Sequence, residues 1–282
     1  GAGLNVEKAL LSARTRLADA DFEPALRDAN LLLARTLDWS EAQVLARGTE
    51  EIASDLLAEF EARIDRRLAG EPVAYILGEK EFFGRDFFVD RRVLIPRPET
   101  EHLVEIALRL GLPADARVLD IGTGSGCLAV TLLAETTDCR AVATDISFAA
   151  LRVAESNARR HGVEQRLELV ATDLASAVSL QNFRLVVSNP PYIGLEEAST
   201  LSSEILEFEP GTALFAGPTG DSLLRRLLQT LSALQSGTPL LLEVGAGQSD
   251  AIAQLAEVSA FSLEEMHADL AGIDRIARLT RR

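Results

Sequence analysis

Beyond about residue 103 the chain alternates between short apolar runs and longer stretches whose apolar positions recur three or four residues apart. The runs at 117–121, 141–146, 167–171, 185–188 and 240–244 are mostly β-branched or aliphatic, the pattern of strands covered on both faces. Between them, 127–135, 148–161, 222–236 and 249–258 carry the helical period. Two further runs, 261–266 and 275–279, follow the last helix after a short gap and predict an antiparallel hairpin at the sheet edge. Alternating strand–helix units make a parallel sheet with helices on both faces. The predicted architecture is therefore α/β, a doubly wound, mostly parallel seven-stranded sheet. The first 70 residues differ. Residues 5–70 space their apolar side chains as helices do (Ala9, Leu10, Ala13, Leu17; Leu31, Leu32, Leu33, Leu37; Ile52, Leu56, Leu57, Phe60) and contain no strand run. They predict a small bundle of four or five short helices with Trp39 in its core. Residues 72–95 alternate aromatic and polar positions about Gly84-Arg85-Asp86, the pattern of a β-hairpin. The expected domains are a helical bundle over 1–71, a β-hairpin linker over 72–98 and the α/β domain over 99–282.

Composition narrows the function classes. At 282 residues the chain exceeds one average domain, and 47% hydrophobic residues with 5% aromatic suit a large aliphatic core. A net charge of −15 repels a nucleic-acid backbone and argues against a largely phosphate-driven binder, while leaving a local basic face open. Cys127 and Cys139 lie in or beside core elements with no metal-ligand spacing, and His102, His161 and His267 are scattered singly. No metal is expected, and the thiols are expected to be reduced. No apolar run reaches the length of a membrane span and no signal peptide is recognised, so the expected location is the cytoplasm, as a monomer.

Chemistry concentrates at the carboxyl ends of the predicted strands, where open α/β sheets bind ligands. In VLDIGTGSGCLAV, Asp120 ends the first strand, and Gly122, Thr123, Gly124, Ser125 and Gly126 form the turn into a helix. Glycines there let the backbone approach a ligand closely. Asp145, followed by Ile146, ends the second strand at the distance where a carboxylate binds ribose hydroxyls, and Asp173, followed by Leu174, ends the third. Three acids in register about one glycine turn describe an adenosine pocket. A carboxylate already on the first strand suits the cationic tail of S-adenosylmethionine better than a pyrophosphate. The fourth strand ends in Asn189-Pro190-Pro191-Tyr192. Two prolines stiffen that turn. The Asn189 side-chain oxygen and the Pro190 carbonyl can accept both hydrogens of a planar –NH2 group, while Tyr192 either stacks on its face or caps the cofactor. Arg97, Glu99, Thr100 and Glu101 read equally as an ordinary helix start with acids near its positive end and as cleft residues. Glu243, at the end of LLLEVG, reads as a structural or cleft-lining acid.

Together, Asp120 to Gly126, Asp145, Asp173 and Asn189 to Tyr192 resemble the class I S-adenosylmethionine-dependent methyltransferases, which have a Rossmann-like fold. Within that group IPRPETE, PVAYILGEKEFFG, FEPGTAL and LLLEVG resemble the HemK/PrmC family. The similarity covers nearly the whole chain. The resemblance implies methyl transfer from S-adenosylmethionine, leaving S-adenosylhomocysteine, to the side-chain nitrogen N5 of the glutamine in the Gly-Gly-Gln loop of class I peptide chain release factors. It implies Asn189, Pro190, Pro191 and Tyr192 as catalytic residues, with Arg97 and Glu101 beside them in substrate binding. Asp120, Gly122, Thr123, Gly124, Ser125, Gly126, Asp145, Ile146, Asp173, Leu174 and Asn189 are the implied cofactor residues, and the helical domain the substrate-recognition module. Leu174 stands where relatives often carry a bulkier residue, Phe148 where a proline is common, and Arg184 where an acid is frequent. Adenine N6 of a nucleic acid presents the same –NH2, but the acidic balance and the lack of a basic recognition domain oppose it. A nucleotide-dependent oxidoreductase needs a pyrophosphate-binding turn and leaves Asn189 to Tyr192 without a purpose. A catalytically silent module predicts cofactor binding without turnover.

Overall fold

Strands buried on both faces need a covering layer on each side, and the chain supplies one. The computed structural model describes residues 4–193, 201–217 and 220–282, and the chain forms two compact units, 1–78 and 79–282.

The first unit contains α1 (Val6–Asp19), α2 (Ala25–Leu37), α3 (Glu41–Ala46), α4 (Ser54–Leu68) and α5 (Val73–Leu77). The Asn5 side chain caps α1 by accepting from the Lys8 N–H, and Ser40 with Gln43 forms a reciprocal capping box on α3. The apolar positions that recur at helical spacing (Ala13, Leu17, Leu32, Leu33, Phe60, Ile64) make its core. Trp39 packs at the edge of that core, half-buried, with the Arg47 guanidinium 3.8 Å above its ring. Helix α5 corrects the hairpin boundary expected at residue 72. Val73, Ile76 and Leu77 sit at helical spacing and bury against the bundle, and Gly78 ends the helix in the left-handed region at φ 72°.

In the second unit the hairpin is β1 (Glu79–Phe82) and β2 (Arg85–Phe88). Phe83 and Gly84 both have positive φ, 52° and 71°, as a two-residue loop matching the strand twist requires. Phe82 and Phe87 are fully buried in the core of this unit, so the hairpin is part of its packing rather than a free linker. There follow α6 (Pro98–Arg109), β3 (Arg117–Ile121), α7 (Cys127–Glu135), β4 (Arg140–Asp145), α8 (Phe148–Arg160), β5 (Leu167–Ala171) and β6 (Leu185–Ser188). The chain ends with α9 (Ser203–Phe208), α10 (Gly211–Leu214), α11 (Ser222–Thr230), β7 (Pro239–Glu243), α12 (Ser249–Glu257), β8 (Phe261–Ala268) and β9 (Asp274–Arg281). Helix α11 stops short of the expected residue 236: a 3-10 turn follows over Leu231–Ala233, which puts Leu231 and Leu234 on one side, both buried.

The seven-stranded sheet has the order β5-β4-β3-β6-β7-β9-β8, with β9 antiparallel to both its neighbours. Its alternation sorts residues between two cores. Val118, Ala141, Leu185, Val187 and Leu241 face the layer that holds Leu103, Leu128 and Leu132 of α6 and α7, together with the hairpin phenylalanines. Leu119, Ile121, Val142, Val186, Leu240 and Leu242 face Leu224, Leu227 and Ile252 of α11 and α12. Among the described residues no helix is long and apolar enough to cross a membrane.

Gly126 begins α7 at φ 82°, and a Cβ there would lie 3.1 Å from the Ala154 Cβ and 3.2 Å from its Cα on α8. Gly126→Ala is expected to cost about 1–3 kcal/mol by forcing strained backbone and parting two helices. Urea unfolding measures this, and an unchanged midpoint would contradict that packing.

Candidate active site

Strand order reverses between β3 and β6, and the crevice beyond their carboxyl ends holds a cavity of about 300 Å³. Its walls come from the glycine turn after β3, the ends of β4 and β5, the Asn189–Pro191 turn after β6, and Arg92, Val93, Leu94, Pro96 and Thr100 at the entry to α6.

The glycine turn is tied to β4: Gly122 and Thr123 both donate their N–H to the Thr144 carbonyl at 2.9 Å. Gly122, Thr123, Gly124 and Ser125 line the cavity, while Gly126 packs behind it. Asp145 also lines the cavity. Its Oδ2 accepts the Gly124 N–H at 3.0 Å and its Oδ1 the Ser147 N–H at 2.8 Å. Each oxygen retains a lone pair for a ligand hydroxyl. Burial pushes the Asp145 carboxyl up, opposed by the backbone N–H groups of Ser147, Gly124 and Ile146. Ile146 is exposed on the rim, and Leu174 takes a left-handed φ of 53°, its carbonyl accepting from the Thr144 hydroxyl at 2.7 Å. Such a conformation in a non-glycine residue marks a place where surrounding structure dictates the backbone. Asp173 reaches the cavity but is engaged in an ion pair with Arg226 of α11, which also lines it.

Asp120 stands apart from the role expected of it. Even positions of β3 face the side covered by α6 and α7, so its side chain points under α7 and is fully buried, outside the cavity lining. Its Oδ2 accepts from the Thr123 hydroxyl at 2.7 Å and the Ala129 N–H at 3.3 Å; Oδ1 has no partner among the described residues. Asp120 thus braces the turn from behind. Burial pushes its carboxyl up to about 7, against the Thr123 and Ala129 hydrogen bonds, which favour the charged form.

Across the cavity, Asn189, Pro190 and Pro191 line the wall. Ser188 donates its hydroxyl to the Ile121 carbonyl at 2.7 Å, joining the ends of β6 and β3. The Asn189 Nδ2 donates to Thr100 Oγ1 at 3.2 Å, and Thr100 donates to Glu243 Oε2 at 2.6 Å. The Asn189 Oδ1 makes no hydrogen bond among the described residues. Tyr192 lies beside the cavity rather than in its lining. Its carbonyl accepts from Gln248 Nε2 at 3.0 Å, and its ring lies so close to Gly245 that a Cβ there would stand 2.8 Å from Cδ2. The glycine of LLLEVG therefore makes room for this tyrosine.

Neither charged residue expected to bind substrate lines the cavity. Arg97 pairs with the buried Glu209, which also accepts the Ile95 N–H at 3.1 Å. Glu101 accepts the Phe83 N–H at 3.0 Å and so holds the hairpin turn. A carboxylate one helical position from Thr100 faces a different neighbour, which spacing alone does not reveal. Sequence reasoning named Thr100 and Glu243 only as helix-start, structural or cleft residues without joining them to Asn189, and it passed over two others: Glu209 behind the 95–97 segment, and Asn157. Asn157 exchanges hydrogen bonds with the Phe88 backbone at 2.7 and 3.0 Å and donates to the Ser125 carbonyl at 2.8 Å, tying the hairpin to the glycine turn. The signal for Glu209 was its place in FEPGTAL, and for Glu243 its place in LLLEVG.

The raised carboxyl of Asp120 has a consequence for stability. The folded chain holds that proton more tightly than the unfolded one, so the stabilisation is complete below the ordinary value of 3.8 and is lost as pH rises toward about 7. Asp120→Asn, neutral throughout, is expected to flatten the decline in stability across that window. Urea titrations of both proteins at several pH values measure it; identical slopes would show that Asp120 is ionised when buried.

Comparison with known proteins agrees in both units. The PrmC N-terminal domain model matches residues 8–78 and the methyltransferase small domain model residues 100–210. The release factor glutamine methyltransferase of Nitratidesulfovibrio vulgaris is 42% identical over 273 residues, covering 94% of this chain and 92% of that protein. Its counterpart in Cereibacter sphaeroides is 43% identical over 269 residues, covering 95% of each. Among solved structures, a methyltransferase from Pyrococcus furiosus shares the fold, with a TM-score of 0.50 at 19% identity over 78% of this chain and 96% of that one. Identity at this level over more than nine tenths of both chains shows that the chain belongs to the release factor glutamine methyltransferase family.

Proposed function

We propose that this enzyme transfers a methyl group from S-adenosylmethionine to the side-chain amide nitrogen of the glutamine in a Gly-Gly-Gln loop of a peptide chain release factor. The observation that carries the reading is the Asn189 carboxamide, held by its nitrogen at Thr100, at the wall of the cavity opposite the glycine turn. The chemistry of the donor set fits the cofactor. Asp145 offers two carboxylate oxygens with remaining capacity to ribose hydroxyls, and Gly122 and Gly124 leave the backbone open to close approach. Asp173 serves the adenine amino group in competition with Arg226. When bound, S-adenosylmethionine supplies an electrophilic methyl group on a sulfonium.

What remains falls to this chain. An amide nitrogen is planar and a poor nucleophile because its lone pair is delocalised into the carbonyl. The Asn189 oxygen and the Pro190 carbonyl accept its two N–H bonds and direct the π density at the methyl carbon. Were the nitrogen to take the methyl group from bound S-adenosylmethionine, which would leave as S-adenosylhomocysteine, positive charge would grow on that nitrogen and the hydrogen bonds to Asn189 and Pro190 would strengthen, a differential stabilisation of the transition state. The nitrogen, now strongly acidic, releases one proton to water. Pro190 and Pro191 keep the acceptors stiff, and Tyr192, clamped between Gly245 and Gln248, packs on the amide plane. Glycines beside the target let the loop enter with little bulk.

The test is labelled methyl transfer to a purified release factor and, separately, to DNA and RNA, with the product mapped by mass spectrometry. N5-methylglutamine at one site is expected. Asn189→Ala should lower turnover by a factor on the order of 10² while leaving cofactor affinity near wild type. Label on adenine, or on another residue of the factor, would overturn the reading.

A further inference from the structure

We infer that Thr100 and Glu243 are positioning residues for methyl transfer, fixing the Asn189 carboxamide with its oxygen rather than its nitrogen toward the acceptor. The inference rests on the function proposed above. A carboxamide turned by 180° fills nearly the same space, so shape does not select between its two orientations. In one orientation Asn189 accepts from an incoming –NH2; in the other it presents its own N–H to that group and repels it. Something must choose.

Thr100 makes the choice by counting protons. Its hydroxyl has one hydrogen, and that hydrogen is donated to the Glu243 carboxylate at 2.6 Å. Both residues are buried, at 1% and 3% exposure, so water does not compete. Thr100 Oγ1 can then only accept, and the Asn189 Nδ2 meets it at 3.2 Å. A reversed amide would set oxygen against oxygen with no proton between them. The sheet supplies the geometry: Leu241 and Glu243 share the face covered by α6, and Thr100 lies in the first turn of that helix.

The charge state of Glu243 therefore matters. Burial pushes its carboxyl up to about 7; the Thr100 hydrogen bond opposes this, Glu99 raises it further, and Arg275 and Arg97 lower it, with Tyr192 and Cys127 also within its field. A protonated Glu243 can donate to Thr100, which frees the threonine proton for the Asn189 oxygen and admits the wrong orientation. Turnover should consequently fall as pH drops through this range.

The test compares wild type, Thr100→Val and Thr100→Ser in methyl transfer to a release factor, with S-adenosylhomocysteine affinity by calorimetry and melting temperature alongside. The isosteric valine is expected to lower kcat by about tenfold or more with cofactor affinity within about twofold, and serine to recover most of the loss. Wild-type kcat should decline below pH of about 7, with the valine variant flat across the same range. A valine variant with wild-type kcat, a serine variant as impaired as valine, or cofactor affinity falling in step with kcat would overturn the inference. So would a wild-type kcat that does not decline with falling pH, a result independent of how the variants fold. Wild type inactive on the glutamine overturns the proposed function and this inference together; an active wild type with any of the outcomes above overturns the inference alone.

Discussion

The parallel pairing of β3 with β6 is the contact on which this site depends. Ile121 stands opposite Ser188 in that register, and the Ser188 hydroxyl closes on the Ile121 carbonyl at 2.7 Å. From that point the two strands feed different turns. One is a glycine turn whose backbone bends back onto β4; the other is a proline turn that cannot join any ladder. Because strand order reverses here, no crossover helix fills the space between them. A slip of one residue would exchange the faces of every side chain on one strand, turning Asp120 away from α7 or sending Ser188 away from Ile121.

Burial separates the acids into two kinds. Asp145 and Asp173 stand at the cavity and keep lone pairs to offer. Asp120 and Glu243 lie on the face covered by α6 and α7 and are spent internally, one on Thr123 and Ala129, the other on Thr100. A carboxylate removed from water is costly unless hydrogen-bonded, and its carboxyl rises accordingly. Both buried acids rise to about 7. Each supports the cavity wall from behind: Asp120 through the glycine turn, Glu243 through Thr100 to Asn189. Dipoles held in this way need not reorganise during reaction.

Much of the α/β architecture was legible because its strands carry a period of their own. Arg117–Ile121, Leu167–Ala171, Leu185–Ser188 and Cys127–Glu135 begin and end where the apolar pattern does. Helices α9 and α10 were not foreseen, being too short to show a period. Alternating aromatic residues suggested strand from residue 72, yet Val73–Leu77 is helical, since a five-residue segment satisfies both periods and packing against the bundle decided between them. Arg97 and Glu101 looked alike as charges beside a cleft. The structure gives each a partner far along the chain or in the hairpin, Glu209 and the Phe83 N–H.

By itself the sequence determined the sheet, the bundle, and the glycine and proline turns, because periodicity, proline and glycine act over a few residues. Only the tertiary structure decided which carboxylates meet the cavity and which brace it. Asp120 and Asp145 both end strands beside the same turn, yet one faces α7 and the other the crevice. The union of Thr100, Asn189 and Glu243 was likewise a tertiary decision, spanning 143 residues between its first and last members. Hydrogen bonds at such separation are fixed by sheet register and helix docking, and no local pattern encodes either.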